Sequence, residues 1–203
     1  MKNKSEESNY IELVIPRRQL LSALLESAMQ KKDWEKIASL IEMNLDFMEE
    51  GLMRVYPILP VEYKFSIPLN CYIHHGYGVS AVCKYVRQAR ELLPVEQRMP
   101  ADLAALPAIT VYRAGAEPLS EAASCYSWTT EQLVARWYYE RALISRQPRR
   151  HIYRGVIAPD DVIWYTNDRQ EREVIQYRGV KQIEELDPDS IPNKSPWGQA
   201  AKD

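Results

Sequence analysis

Apolar residues recur at helical spacing through the first half of the chain and change to short β-type runs in the second. Trp34, Ile37, Ile41, Leu45 and Met48 fall three and four apart, which places them on one face of a helix over residues 34–50. Asp33 is its expected N-cap and Gly51 its expected stop. Residues 18–31 and 79–92 read as further helices, the latter ended by Pro94, with a frayed arm over the first ten residues. The Pro- and Tyr-rich stretch 52–78 is expected to be irregular. After Pro107 the pattern changes: Ile109–Arg113, His151–Ile157, Val162–Tyr165 and Glu173–Tyr177 read as strands. One helix interrupts them, with a hydroxyl cap at Thr129-Thr130 and a stripe of Leu133, Val134, Trp137 and Ile144. The fold class is therefore α+β. Residues 1–106 are expected to form a helical N-terminal region, a flank or part of the same domain. Residues 107–186 form the β-rich core and 187–203 a turn-rich, flexible tail.

Composition narrows the class. The 203 residues are 46% hydrophobic and 27% charged, as expected of a soluble globular chain. No apolar run approaches the ~18 residues of a membrane span, and no apolar h-region follows the N-terminus. Cys71, Cys83 and Cys125 are too few and too scattered for a disulfide framework; a reducing cytoplasm fits. The net charge of −2 excludes a globally basic nucleic-acid binder. Charge is uneven, however. Every basic side chain between residues 113 and 178 is an arginine, and Arg141, Arg146, Arg149, Arg150 and Arg154 gather with His151. That stretch is either a solvated loop or an anion-facing edge.

Several tempting signals carry little. His74-His75-Gly76-Tyr77-Gly78 has neither metal-ligand spacing nor the third glycine of a dinucleotide loop, so no metal is expected. Cys71 and Cys83 read as buried small hydrophobes. The chain has no Gly-x-Ser-x-Gly elbow and no Walker-type loop.

Three segments of the second half matter more in combination than singly. Val111-Tyr112-Arg113-Ala114-Gly115 puts an arginine at the end of an apolar strand. Tyr126-Ser127-Trp128-Thr129-Thr130 is a strand running straight into a helix. Glu171-Arg172-Glu173-Val174-Ile175 enters a strand with two glutamates at i and i+2. Taken one at a time these are a surface ion-pair arginine, a helix cap and a solvated strand face.

In this order and spacing they resemble the arginine, Ser-Thr-Ser and Glu-x-Glu elements of the mono-ADP-ribosyltransferases of the bacterial-toxin type. The resemblance spans about residues 109–185 and departs at Trp128, an aromatic in the middle of the second element. It implies a split β-sandwich with a helical N-terminal flank, and an enzyme that breaks the C1′–nicotinamide bond of NAD and passes ADP-ribose to an acceptor. Arg113 would then anchor phosphate or ribose, for which a rigid five-donor fork is suited. Ser127 would orient a carboxylate. Thr129 would support the nucleotide or simply cap the helix. Glu173 would grip the ribose 2′-hydroxyl and stabilise transition-state charge, and Glu171, on the same strand face, would take a proton from the acceptor. A one-residue shift that puts Gln170 in the place of Glu171 is the competing register. Trp164 and Tyr165 would present an aromatic surface to the target or pack inward.

The resemblance further implies a macromolecular acceptor. Glu171 points to a protein arginine, whereas the arginine-rich stretch with Tyr138, Tyr139 and Tyr153 would suit RNA or DNA. A toxin, a toxin–antitoxin component or a phage-conflict effector, cytoplasmic and with a partner or antitoxin protein, is the implied setting. The rival expectations are a catalytically inactive binding module of the same fold and a plain NAD glycohydrolase.

Overall fold

A computed structural model describes residues 4–74, 80–145 and 150–197 of the chain, which divides after Leu92 into two compact units. In the first unit α1 spans Lys4–Lys31, reaching into the segment expected to be an arm. It ends in a left-handed Lys32 (φ 53°), with Asp33 N–H donating to Ala28 O and Lys32 N–H to Met29 O, a Schellman closure. Asp33 then caps α2 (Trp34–Glu42), its carboxylate accepting from Lys36 N–H at 3.1 Å.

The helix expected over 34–50 is two helices. Its break lies at Met43-Asn44, where Asn44 turns extended and its side-chain amide donates to Leu40 O at 2.8 Å. Such a local bond competes with the helical ladder. α3 (Leu45–Val55) therefore starts on a new face: Phe47 and Met48 are buried while Leu45 is exposed. Gly51 does not stop it. The glycine is buried inside α3, where a Cβ would come within 3.1 Å of Ile41 and 3.2 Å of Phe47.

The stretch expected to be irregular holds α4 (Val61–His74), with Pro68 inside it. Burial of Phe65, Ile67, Leu69, Cys71 and Tyr72 outweighs the one backbone bond that proline forfeits. Cys71 does behave as a small core residue; burial pushes its thiol up to about 12. α5 (Ser80–Ala89) follows and packs against α4.

In the second unit, α6 (Val95–Arg98) and α7 (Ala101–Ala104) start after Pro94 and Pro100. They precede β1 (Ile109–Gly115), α8 (Leu119–Ala122), β2 (Ser127–Thr129) and α9 (Gln132–Ile144). β3 (His151–Ile157), β4 (Val162–Thr166), β5 (Glu173–Gln176) and β6 (Lys181–Leu186) complete the unit. The strands form one antiparallel six-stranded sheet in the order β4-β5-β2-β1-β3-β6, so the α+β class is observed. Met99, Ile109, Val111, Ala122, Trp128, Tyr153 and Val174 form the core on one face. Val95, Leu103 and Ala104 join it, which ties residues 93–106 to the sheet. The other face is covered by α9, through Ala135 and Leu133 against Ile152 and Tyr112.

Three expectations change here. Ile144, placed in the buried stripe of α9, is 83% exposed; Val134 is buried as expected, and Ala135 and Ala142 join it, because the helix presents that side to the sheet. The tail packs at Ile191, which is buried with Ala135 and Ile152, and Arg136 donates to Pro188 O. Strand β6 lacked an apolar alternation to announce it. It is a charged edge strand, as edges commonly are. Its Glu184 and Glu185 take Arg154 at 3.0 Å and His151 at 2.6 Å, so part of the basic stretch is neutralised internally.

Gly155 lies where β3 and β6 shift register, and a Cβ there would sit 2.4 Å from Val180 Cγ1 and 3.2 Å from Lys181 O. Gly155→Ala is expected to destabilise the protein by about 1–3 kcal/mol through overpacking, read as a lower urea midpoint at unchanged slope.

Candidate active site

The three segments singled out in the sequence lie on three neighbouring strands, β1, β2 and β5. Side chains alternate along a strand, so Ser127 and Thr129 share one face of β2 while Trp128 enters the core on the other. That is why an aromatic fits the middle of the motif: its indole is buried and its N–H donates to Cys125 O at 3.1 Å. Thr129 pairs in register with Glu173, which brings the Glu173 side chain to the face that carries the Ser127 hydroxyl.

Ser127 Oγ donates to Glu173 Oε1 at 2.5 Å, and Glu173 is only 3% exposed. Burial pushes the Glu173 carboxyl above its ordinary range, against the opposing pull of Ser127 and the Arg169 guanidinium. Arg169 Nη2 stands 3.2 Å from Glu173 Oε2 and 3.1 Å from Glu171 Oε2. The other oxygen of Glu171 accepts from the Tyr138 hydroxyl of α9 at 2.7 Å. Two carboxylates thus face one guanidinium, and each has its second oxygen fixed by a hydroxyl.

Strand alternation is not what brings Glu171 beside Glu173, because β5 begins only at Glu173. Glu171 stands in a turn between Gln170 (φ 57°) and Arg172 (φ 47°), both left-handed. Asn167 closes that turn: its Oδ1 accepts from Arg172 N–H at 3.1 Å and its carbonyl from Gln170 N–H at 2.9 Å. Asparagine is suited to such local bonding. Gln170 is exposed and its carbonyl accepts from Trp197 Nε1 at 3.2 Å, so Glu171 is the residue that shares a guanidinium with Glu173. Thr129 is almost fully buried. Its hydroxyl donates to Glu171 O at 2.6 Å and accepts from Glu131 N–H at 3.0 Å. It tethers the turn to the start of α9.

Arg113 reaches the same strand from the other side. Its Nη1 donates to Ser127 O at 2.6 Å and its Nε to Glu117 Oε1 at 2.5 Å. β1 and β2 share the single register pair Tyr112–Thr129, whereas β1 and β3 pair over their whole length. The guanidinium spans the splay that results. Burial alone would raise the Glu117 carboxyl, but the hydrogen bond and charge of Arg113 hold it below its ordinary range. Gly115 makes room for this carboxylate, since a Cβ there would lie 2.0 Å from Glu117 Oε1.

Ser127 therefore links Glu173, through its hydroxyl, to Arg113, through its carbonyl. Tyr165 packs against the core of the sheet. The aromatic group near the turn is instead Trp137, Tyr138 and Trp197, with Trp137 edge-on to both neighbours at 4.9 and 5.0 Å. Glu117, Arg169, Tyr138 and Trp197 were not anticipated as members of this cluster. Glu117, four residues after Arg113, and Arg169, four residues before Glu173, had a local signal. His75–Gly78, Arg146 and Arg149 lie outside the described residues. Among those described, no three His, Cys, Asp or Glu are grouped to hold a metal ion, and no helix is long and apolar enough to cross a membrane.

Compared with family models, curated proteins and solved structures, the chain matches none of them.

A carboxyl raised by burial adds stability while protonated and loses that contribution as pH rises through its folded value. Wild-type stability attributable to Glu173 should therefore fade as pH climbs from the ordinary value near 4.5 through the raised one. Glu173→Gln is expected to gain in melting temperature relative to wild type across that window and to keep the gain at neutral pH. A difference between the two proteins that shrinks with rising pH would contradict it.

Proposed function

We propose that the second unit is an NAD-dependent mono-ADP-ribosyltransferase whose acceptor is an arginine guanidinium, its one six-stranded sheet being the counterpart of the split β-sandwich expected of that family. One observation carries the reading: Glu171 and Glu173 jointly hold a guanidinium, with Ser127 fixing the inner carboxylate and Tyr138 the outer one. A pair of carboxylates at that spacing fits a cationic acceptor; it is poorly suited to the phosphates of RNA or DNA.

The donor set suits NAD. Cleavage of the glycosidic bond builds positive charge on the ribose, and a carboxylate that is pre-oriented and largely shielded from water stabilises such charge without reorganising. Glu173, held by Ser127, meets that description. Glu171 lies where it can hydrogen-bond an incoming guanidinium and accept its proton as the new bond forms. Arg113 supplies a planar fork for a diphosphate, and Thr129 keeps the Glu171 turn in place. The role of Thr129 is thus one of positioning.

One contact favours a second reading, a non-catalytic binding module of the same fold. The fork of Arg113 is engaged by Glu117, and an anion must displace that carboxylate to be bound. Release of nicotinamide from NAD by the purified chain separates the two readings: turnover supports the transferase, and its absence supports the module.

Glu173→Gln is expected to reduce nicotinamide release by on the order of a hundredfold, about 3 kcal/mol, while NAD affinity in equilibrium binding changes little. Glu171→Gln should lose transfer to arginine but keep slow hydrolysis of NAD to free ADP-ribose, since water needs no second carboxylate to align it. Equal loss of both activities in Glu171→Gln would reassign that residue to holding the turn.

For the anion anchor, Arg113→Ala should weaken NAD binding by about 1.5–3 kcal/mol, the worth of a charged hydrogen bond, and Arg113→Lys should not restore it. Glu117→Gln, by releasing the fork, should tighten binding. Titration calorimetry on variants with wild-type melting curves checks all three, and weaker binding in Glu117→Gln would make that carboxylate a support for Arg113 instead of a competitor.

A further inference from the structure

We propose that Arg169 is an acceptor built into the chain: the protein ADP-ribosylates its own Arg169 in cis. The inference rests on the transferase reading above and goes further, in naming a modification site.

The guanidinium of Arg169 occupies the position that an arginine acceptor needs. Its Nη2 is 3.1 Å from Glu171 and 3.2 Å from Glu173, which is hydrogen-bond range to both carboxylates at once. Arg113 and Arg172 are turned elsewhere, to Glu117 and Glu131. Arg169 is also accessible. Its side chain is 46% exposed while those of Glu171 and Glu173 are 14% and 5% exposed. The guanidinium therefore closes over the carboxylates from the solvent side, where an acceptor from another molecule would have to arrive.

The turn presents it firmly. Asn167 closes the loop on Arg172, Thr129 holds the backbone at Glu171, and Trp197 holds it at Gln170. With Glu171 Oε1 on the Tyr138 hydroxyl, Oε2 remains on the Arg169 nitrogen that would give up its proton. A nucleophile fixed beside the base has the advantage of an intramolecular reaction over any acceptor that must first bind.

The step balances without an oxidant or reductant. Arg169 Nη2 forms a bond to C1′ of the ribose of NAD as the C1′–nicotinamide nitrogen bond breaks. The bonding pair leaves with nicotinamide, which departs neutral, and one Nη2 proton passes to Glu171 and on to solvent. The guanidinium keeps its positive charge and gains an anionic diphosphate. The modified turn can no longer pair with both glutamates as before, so the reaction is self-limiting with respect to Arg169.

The test is incubation of the purified full chain with NAD, with nicotinamide release followed in parallel with peptide mass mapping. The expected result is one ADP-ribose on the peptide that contains Arg169, at a rate per molecule independent of protein concentration. Arg169→Lys should remove the mark from that peptide and Arg172→Lys, on the same turn, should retain it. Mixed with a Glu173→Gln chain of distinguishable mass, wild type should mark only itself. Nicotinamide release with Arg169 unmodified overturns this inference and leaves the transferase reading standing, as does a mark carried by Arg172. A mark on the Glu173→Gln chain overturns reaction in cis. No nicotinamide release overturns both readings together.

Discussion

A carboxylate is buried in the middle of this sheet, and the local architecture follows from making that tolerable. Glu173 is 3% exposed on the face covered by α9, where an unpaired charge is far costlier than in water. The Ser127 hydroxyl at 2.5 Å and the Arg169 guanidinium at 3.2 Å are what offset the cost. In the register of β2 against β5, Thr129 stands opposite Glu173 and Ser127 is its diagonal neighbour on the same face, within reach of the carboxylate. Satisfying Glu173 also requires the 167–172 turn to fold back with Arg169 inward, and that turn takes two left-handed non-glycine residues to build. Burial still wins over the partners, and the carboxyl remains raised. Such a group is a weak contributor to stability at neutral pH, and groups of this kind concentrate where chemistry is done.

The second half of the cluster is joined to the first through the backbone of one residue. Ser127 gives its hydroxyl to Glu173 and its carbonyl to Arg113, so a shift of β2 moves both charged groups. Around this axis each ionic group has an opposite number: Arg113 with Glu117, Arg169 with the two glutamates, Arg172 with Glu131. The pairing makes the resting site self-contained. A ligand bound here would exchange internal partners for external ones, which would reward ligands that match both charge and geometry and penalise those that match only charge.

Much of the scaffold could be read from the chain. The four long apolar strands, the helix that starts beyond Thr130, the cap at Asp33 and the α+β division follow from short-range patterns, because periodicity of burial is a local property. Where the reading missed, a local rule was overridden by a longer-range one. Asn44 broke a continuous apolar stripe by bonding backward to Leu40. Gly51 stayed helical because Ile41 and Phe47 close over it, and Pro68 was carried inside α4 by the burial around it. β6 gave no signal because an edge strand has only one neighbour and its outward positions are free to be charged.

For the candidate site, Arg113, Ser127, Thr129, Glu171 and Glu173 were named by the resemblance of three ordered segments to a known family's motifs, each segment being bland by itself. The resemblance did not determine how they meet. That Thr129 is a tether, that Tyr138 is a clamp and that Ser127 holds Glu173 depends on segments 33 to 46 residues apart coming within hydrogen-bond distance; the Arg113–Glu117 and Arg169–Glu173 pairs span four residues each and depend on the local backbone direction. Side-chain direction in a turn with left-handed residues has no period to read. The chain by itself determined which strands and which chemistry-bearing residues exist; only the tertiary structure, by pairing β2 with both β1 and β5, placed Ser127 between Glu173 and Arg113.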